Sequence, residues 1–302
     1  MSADSYPGKH SSTLTGLHLL LTYQCNYECD HCFVWGSPFQ TGTMTIETIE
    51  HILAEAESLG TIDWIYFEGG EAFLYYPVLL GGILRAKALG FHVGIVTNAY
   101  WATADADAAK WLRPLAGLVD QLSVSSDGYH GSDQGPDQPG IARRAAKQLG
   151  IPTGLITIAE PGTADVPESE SAVTYRGRAA ELLASRADAK HWEQFSECPW
   201  EDLRQPGRVH VDPFGHLHIC QGISIGNMLE CSLAEIMADF DPDTHPIVGP
   251  LLAGGPAELV RRYDLPHKEG YADHCHLCYE SRRVLRQRFP DELTPDQMYR
   301  TA

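Results

Sequence analysis

The sequence has no long apolar run and few basic residues. No stretch approaches the roughly 20 consecutive apolar residues that a membrane-spanning helix requires. Across 302 residues, 22 lysines and arginines stand against 40 aspartates and glutamates, for a formal net charge of -18. Because this charge repels phosphate backbones and anionic membranes, we expect neither nucleic acid nor a membrane as a partner.

The amino terminus lacks the pattern of a secretory signal. Residues 1–13 are polar and contain no apolar core segment, which predicts a cytoplasmic, reducing location. In that setting the eight cysteines are expected to be metal ligands or inert core thiols rather than disulfides.

Short apolar segments alternate with amphipathic ones through the first two thirds of the chain. Strands that are apolar on both faces and separated by helices are typical of a parallel sheet. Thr45 and Gly60 are placed to cap a helix between the first two strands. Six such strands predict an α/β fold, a partial (β/α)6 barrel. The predicted strands are 17–23, 63–67, 91–97, 121–125, 154–159 and 172–175.

This alternation stops near residue 188. A β-hairpin pattern follows around a turn at 213–215, then a helix at 232–238, a Gly/Pro-rich connector at 249–256 and a basic helix at 279–289. We therefore predict two domains, residues 1–187 and a smaller cysteine-rich domain of hairpin and helices at 188–302.

Three cysteines directly follow the first predicted strand, in a C-x3-C-x2-C run of Cys25, Cys29 and Cys32. Thiolates suit zinc or an iron-sulfur cluster. Zinc would need a fourth ligand, and the local imidazole, His31, is poorly placed beside Cys32. Three thiolates on a 4Fe-4S cluster would instead leave one iron open to a ligand.

The run from Cys25 to Phe33, with the Gly-Gly-Glu that ends the second strand, resembles the radical SAM superfamily. The resemblance implies that the open iron binds the amino and carboxylate groups of S-adenosylmethionine. It also implies that Phe33 packs on the adenine. Further positions match stretches that contact this cofactor in the family. The implied cofactor-binding residues are Phe33, Gly69, Gly70, Glu71, Asn98, Ser125, Asp127 and Arg178.

These matches differ in specificity. Glycines at 69 and 70 would let the backbone approach a ligand closely. Asn98, Ser125 and Asp127 are also residue types that favour turns after strands, and Arg178 could equally form a surface ion pair at a helix start.

The remaining cysteines fall in the last third of the chain. The hairpin with Cys220, the upstream Cys198 and the pair Cys275 and Cys278 resemble the twitch domain, a shortened SPASM domain. The resemblance implies a second, auxiliary 4Fe-4S cluster with four protein ligands. Four-cysteine zinc is the structural alternative, and Cys231 is left over as a small residue before a helix.

The resemblance implies an enzyme that cleaves S-adenosylmethionine to a 5'-deoxyadenosyl radical. We expect it to abstract a substrate hydrogen atom and oxidise a small molecule, with the auxiliary cluster as electron acceptor and flavodoxin or ferredoxin as donor. Modification of a ribosomally made peptide is the second hypothesis, and a non-catalytic metal-binding or electron-transfer protein is the third. Candidate catalytic residues are Tyr129, His130 and Arg176, beside loops at 127–140 and 160–171.

Overall fold

The computed structural model describes residues 14–130, 136–163, 166 and 168–300. The amino-terminal segment 1–13 and parts of the loops at 127–140 and 160–171 lie outside the described residues. Across the described ranges, every helix is too short or too polar to cross a membrane.

Five parallel strands, joined by four helices, form the main part of an eight-stranded sheet. The sequence predicted each of these strands to within three residues of its ends. They are β1 (Gly16–Leu20), β2 (Trp64–Glu68), β3 (His92–Thr97), β4 (Gln121–Ser125) and β5 (Thr153–Ile156), and the helices between them are α1 (Ile46–Leu59), α2 (Tyr76–Ala88), α3 (Asp105–Leu112) and α4 (Gln138–Gln148).

The predicted sixth strand at 172–175 is wrong. This segment makes no strand pairing of its own, and only the preceding Ser171 bridges to Ile158. The backbone N–H of Tyr175 donates to the Asp273 carboxylate over 3.2 Å. This contact ties the segment to the C-terminal part of the chain. The short helix α5 (Arg178–Leu182) follows the segment in the sequence.

A sixth parallel strand does exist, but on the opposite side of the sheet. After a two-residue strand β6 (Lys190–His191), β7 (Arg208–Val211) pairs in parallel with β1. The sheet then ends in antiparallel β8 (His216–Cys220) and β9 (Ile223–Asn227), giving the order β5-β4-β3-β2-β1-β7-β8-β9. The architecture is therefore α/β with a mostly parallel sheet, while closure into a partial barrel remains a prediction.

The predicted hairpin is confirmed in β7 and β8, and its turn has a clear cause. The Asp212 carboxylate accepts hydrogen bonds from the backbone N–H groups of Phe214 and His216, each over 2.9 Å. This hairpin belongs to the same sheet as the first five strands, so the sheet continues across the predicted domain boundary at residue 187. The boundary itself remains a prediction.

Three helices complete the C-terminal part. The helix α6 (Leu233–Asp239) matches its prediction. The expected connector at 249–256 is wrong, because residues there belong to α7 (Val248–Tyr263), kinked at Gly254 and Gly255. The last helix, α8 (His274–Leu285), begins five residues before the predicted start, so it carries Cys275 and Cys278 in its first turns. A short strand, β10 (Gly270–Tyr271), pairs with β6.

Alternating residues of the parallel strands fill the main core. Leu17 and Leu19 of β1, with Ile65 and Phe67 of β2, are fully buried against the helices. The cap prediction for α1 is confirmed: the Thr45 side chain accepts a hydrogen bond from Thr48 N–H, and Gly60 ends the helix at a φ of 75°. The residues between these apolar ones face the other side of the sheet, where the candidate site lies.

Candidate active site

A cavity of about 290 Å³ lies where the parallel strands end. Loops at the carboxyl ends of parallel strands are the usual position of active sites in α/β folds. Ten of the predicted site residues line this cavity: Cys25, Cys29, Cys32, Phe33, Gly69, Gly70, Asn98, Ser125, His130 and Arg176. Four others, Glu71, Asp127, Tyr129 and Arg178, do not line it.

The cysteine loop surrounds its thiols with hydrogen-bond donors. Tyr27 N–H lies 3.4 Å from the Cys25 sulfur, and Gly36 N–H lies 3.2 Å from the Cys32 sulfur. The Asn98 side-chain amide approaches the Cys25 sulfur at 3.6 Å. Donors of this kind stabilise sulfur that carries negative charge, so the loop is built for metal-bound thiolates.

Without a metal, burial favours the protonated form of the Cys25 and Cys29 thiols. Burial raises the pKa of Cys25 to about 12 and also raises the pKa of Cys29. A bound metal reverses this preference, because a coordinating thiol is deprotonated. His31 does not supply a fourth ligand: its Nε2 faces the Asp127 carboxylate at 3.5 Å. The three thiols therefore fit a 4Fe-4S cluster with one iron open, as the sequence predicted.

The glycine pair packs against the protein's own backbone. A Cβ on Gly70 would lie 2.2 Å from the Gln24 carbonyl oxygen. Gly70 N–H donates to the Thr22 carbonyl over 2.6 Å, and Glu71 N–H donates to that of Gln24 over 2.9 Å. The glycines are thus needed to join the end of β2 to the cysteine loop, and close approach to a ligand remains a further prediction.

Glu71 organises the neighbouring strand end instead of facing the cavity. Its carboxylate accepts hydrogen bonds from Phe73 N–H, the Thr97 hydroxyl and Asn98 N–H, at 3.0, 2.9 and 2.7 Å. Burial raises its pKa to about 7 despite these donors. Because both oxygens already have protein partners, the geometry favours a positioning role over the predicted contact with the cofactor.

Arg178 also acts on the loop and not on the cavity. Its guanidinium donates to the carbonyls of Cys29 and Gly36 over 2.7 and 2.8 Å, and it lies 5.4 Å from the ring of Trp35. The structure therefore places this side chain against the cysteine loop and not at the cavity, where the predicted contact with the cofactor would be made. It is not a surface ion pair either, since Arg178 is 6% exposed.

Asp127 and His130 form a hydrogen-bonded pair at the edge of the cavity. The Asp127 Oδ1 lies 2.6 Å from the His130 Nδ1. Burial opposes ionisation of Asp127, but His130 and His31 outweigh it and hold the pKa of Asp127 well below its usual range. Because Nδ1 is engaged by the carboxylate, Nε2 is the ring nitrogen of His130 that is left for another partner. The structure thus gives Asp127 the orientation of His130, while its contact with the cofactor stays a prediction.

The other two catalytic candidates lie in different surroundings. The Tyr129 ring packs on His31 at 4.6 Å, and burial raises its pKa to about 12, so it is a poor proton acceptor. Arg176 lines the cavity, where its guanidinium lies 5.4 Å from the Phe33 ring. Its Nη1 also lies 3.6 Å from the Cys220 sulfur.

The four predicted C-terminal ligands lie around one small interior site. Burial raises the pKa of Cys278 to about 12, and it raises that of Cys198 and Cys275 as well. The half-buried Arg176 and the buried Arg282 border the same site and offset negative charge there. The donor set fits either a closed 4Fe-4S cluster or four-cysteine zinc. Cys231 is exposed and lies outside both sets.

Sequence reasoning missed two features of this region. Trp35 Nε1–H donates to the Tyr279 hydroxyl over 2.9 Å and so ties the cysteine loop to α8. Glu68, directly before the glycine pair, lines the cavity beside His18 and His210. The first contact joins residues 244 positions apart and leaves no local signal. The second could have been found from a charged residue at the end of a buried strand.

Comparison with known proteins identifies the part of the chain that contains the cysteine loop. Residues 19–132 match the family model described as the radical SAM superfamily. The chain contains a radical SAM superfamily domain. The match includes the cysteine loop, the glycine pair and the Asp127–His130 pair, which the structure places around or beside one cavity.

Curated relatives match about a third of the chain and differ in what they are described as doing. The putative peptide biosynthesis protein YydG of Bacillus subtilis (strain 168) is 32% identical over 111 residues, covering 36% of this chain and 35% of the relative. The tungsten-containing aldehyde ferredoxin oxidoreductase cofactor-modifying protein of Pyrococcus furiosus is 31% identical, covering 37% and 30%. The aligned region spans about a third of the length of each relative.

Two solved structures resemble a larger part of the chain. BtrN in complex with AdoMet and 2-DOIA has a TM-score of 0.52 at 17% identity, covering 74% of this chain and 81% of that one. Native anSMEcpe with bound AdoMet has a TM-score of 0.51 at 14% identity, covering 92% and 97%. At this identity the likeness concerns the fold, and it supports the α/β architecture around the radical SAM domain.

Proposed function

We propose that this protein is a radical SAM enzyme that oxidises a small polar molecule by two electrons. The proposal rests on one observation: Arg176 borders both the cavity at the cysteine loop and the C-terminal four-cysteine site. A substrate in the cavity would therefore lie next to a second redox centre, if the C-terminal cysteines hold one. That centre is the expected electron acceptor.

The chain's own residues would hold two cofactors. Cys25, Cys29 and Cys32 would hold a 4Fe-4S cluster, while Phe33, Asn98 and Ser125 border the space for S-adenosylmethionine. When bound, these cofactors supply one-electron cleavage to a 5'-deoxyadenosyl radical, which abstracts a hydrogen atom from the substrate. Arg178, which donates to the carbonyls of Cys29 and Gly36, would hold the cysteine loop and so fix where this chemistry occurs.

His130 is proposed as the proton acceptor of the oxidation. Removal of a hydrogen atom, then one proton and one electron, completes a two-electron oxidation. The proton needs a base beside the substrate, and His130 Nε2 is free because Asp127 engages Nδ1. Arg176 is proposed to orient the substrate, since it borders both sites and its buried Nε has no hydrogen-bond partner among the described residues.

The experiment separates cofactor cleavage from substrate oxidation. Reconstituted, reduced protein is incubated anaerobically with S-adenosylmethionine and a panel of deuterated amino sugars, cyclitols and short peptides. We expect 5'-deoxyadenosine to carry deuterium from an amino sugar or cyclitol, together with a product lighter by two hydrogens. S-adenosylhomocysteine in place of 5'-deoxyadenosine, or no cleavage at all, would refute the proposal.

The role of His130 is tested by His130→Gln. We expect the oxidised product to fall by roughly 10²–10⁴-fold, the usual contribution of a general base, while 5'-deoxyadenosine formed without substrate is unchanged. His51→Gln is the matched control, because that imidazole contacts the Met228 carbonyl away from the cavity. Equal loss of both products in His130→Gln would mean that the residue only supports the fold.

Peptide modification is the second candidate, and one finding favours it. The relative from Bacillus subtilis is described as a putative peptide biosynthesis protein. Deuterium transfer from a peptide in the same panel, and not from an amino sugar or cyclitol, would select this candidate over small-molecule oxidation; a crosslink would lower the peptide mass by two hydrogens and an epimerisation would leave it unchanged.

A further inference from the structure

A histidine-glutamate-histidine group lies on the sheet face below the cavity. His18 of β1 and His210 of β7 are direct cross-strand partners. Glu68 lies two residues beyond Tyr66, which is the partner of His18 on the other side. Because paired residues and residues two apart share a face of a sheet, all three side chains lie on one face. Glu68 itself lines the cavity.

The distances within this group match a metal coordination shell. The His210 Nε2 lies 3.0 Å and the His18 Nδ1 lies 3.4 Å from the same oxygen, Oε1 of Glu68. Metal bonds of roughly 2.1 Å separate neighbouring ligand atoms by about 3.0 Å at right angles and by about 3.4 Å at the tetrahedral angle. All three ligand atoms lie within 4.8 Å of one another.

The contacts are not ordinary hydrogen bonds. Glu68 Oε1 is buried and has no aligned donor among the described residues, although two ring nitrogens are close to it. The group is therefore a buried carboxylate oxygen on which two ring nitrogens converge without an aligned hydrogen bond.

Two other groups of histidines around a carboxylate, at Asp127 and Asp212, differ because aligned donors reach their carboxylates. Asp127 lies 2.6 Å from His130 and also accepts a hydrogen bond from the backbone of Tyr129. Asp212 accepts hydrogen bonds from the Tyr23 hydroxyl and from backbone N–H groups of its own turn. Both of these carboxylates accept aligned hydrogen bonds from protein donors, whereas Glu68 Oε1 has no aligned donor among the described residues.

We propose that His18, Glu68 and His210 bind a divalent transition-metal ion beside the cavity. Two imidazoles and one carboxylate form a set used by proteins for such ions, and it leaves coordination positions open. Because Glu68 lines the cavity, a substrate hydroxyl or carboxylate oxygen could occupy one of them. Stacking of His18 on Tyr66 at 4.7 Å holds its ring in place. This site is separate from both cysteine sets.

The test measures Zn²⁺ binding to the holoenzyme, independently of catalysis. Protein in a Cys231→Ser background is loaded with its iron-sulfur clusters, stripped of loose metal with a chelator and dialysed anaerobically against Zn²⁺. We expect one Zn²⁺ per chain, bound at least roughly 10-fold more weakly after His210→Ala or Glu68→Gln. His92→Ala, an exposed histidine beside Asp120 on β3, should bind as the parent does.

X-ray absorption at the zinc edge gives a readout that needs no variant. We expect nitrogen and oxygen neighbours with an imidazole pattern and no sulfur at about 2.3 Å. Sulfur neighbours, no bound zinc, or equal binding in the parent, His210→Ala and Glu68→Gln would overturn the proposal. If a variant loses iron, His18→Gln replaces it, and the absorption spectrum of the parent still decides.

Discussion

Replacing Cys25, Cys29 and Cys32 by alanine is expected to abolish 5'-deoxyadenosine formation. These three thiols lie in one loop at the cavity and bring no fourth protein ligand with them. Iron should fall from about eight to about four per chain, because only the C-terminal cluster remains. Iron and sulfide analysis, with anaerobic product assays, measures both effects.

Cys231→Ala is the matched control for this variant. Cys231 is exposed and precedes the capped start of α6, away from both cysteine sites. Its loss should change neither iron content nor cleavage. If the triple variant keeps about eight irons, or still forms 5'-deoxyadenosine, the loop does not hold the active cluster.

Replacing Cys275 and Cys278 by alanine should separate the two proposed sites. Both residues lie in the first turns of α8 beside Arg176 and the buried Arg282. We expect iron to fall from about eight to about four per chain. Cleavage of S-adenosylmethionine should persist, while oxidised product is lost together with its electron acceptor.

The metal content of the parent protein decides between cluster and zinc at this second site. One tightly held zinc with about four irons per chain would favour structural zinc and remove the electron acceptor from the account. Loss of 5'-deoxyadenosine in the double variant, with the N-terminal cluster intact by spectroscopy, would also contradict the separation of roles.

Patterns with a local physical cause were predictable from the sequence. The first five strands are short and apolar, and four helices separate them, so their type and order followed from periodicity. The hairpin turn at 213–215 and the caps of α1 likewise depend on residues adjacent in sequence. The cysteine loop was found for the same reason.

Features that depend on tertiary partners were not predictable. Residues 172–175 have a strand-like composition, but Tyr175 bonds Asp273 at the start of α8 instead of a neighbouring strand. The connector at 249–256 forms a kinked helix, because Gly255 packs against the backbone of Glu197, where a Cβ would lie 2.2 Å from its nitrogen. Local sequence carries no trace of either partner.

The same distinction holds within the site. The family resemblance and the order of its motifs singled out the ten residues that line the cavity, and they also assigned Glu71, Asp127 and Arg178 to the cofactor. The structure gives these three side chains protein partners instead: a strand end, a histidine and the cysteine loop. The spacing of motif residues can therefore identify them in the sequence. Their roles depend on which buried donors and acceptors they contact in the folded chain.

The most direct test concerns the open iron at the three-cysteine loop. Electron–nuclear double resonance is recorded on the reduced Cys275→Ala/Cys278→Ala variant with S-adenosylmethionine labelled at its amino nitrogen and carboxylate oxygens. The account predicts hyperfine coupling from both labels, because the cofactor binds an iron that lacks a protein ligand. Absence of both couplings from a reduced cluster that still binds S-adenosylmethionine, or zinc at this loop, would contradict it.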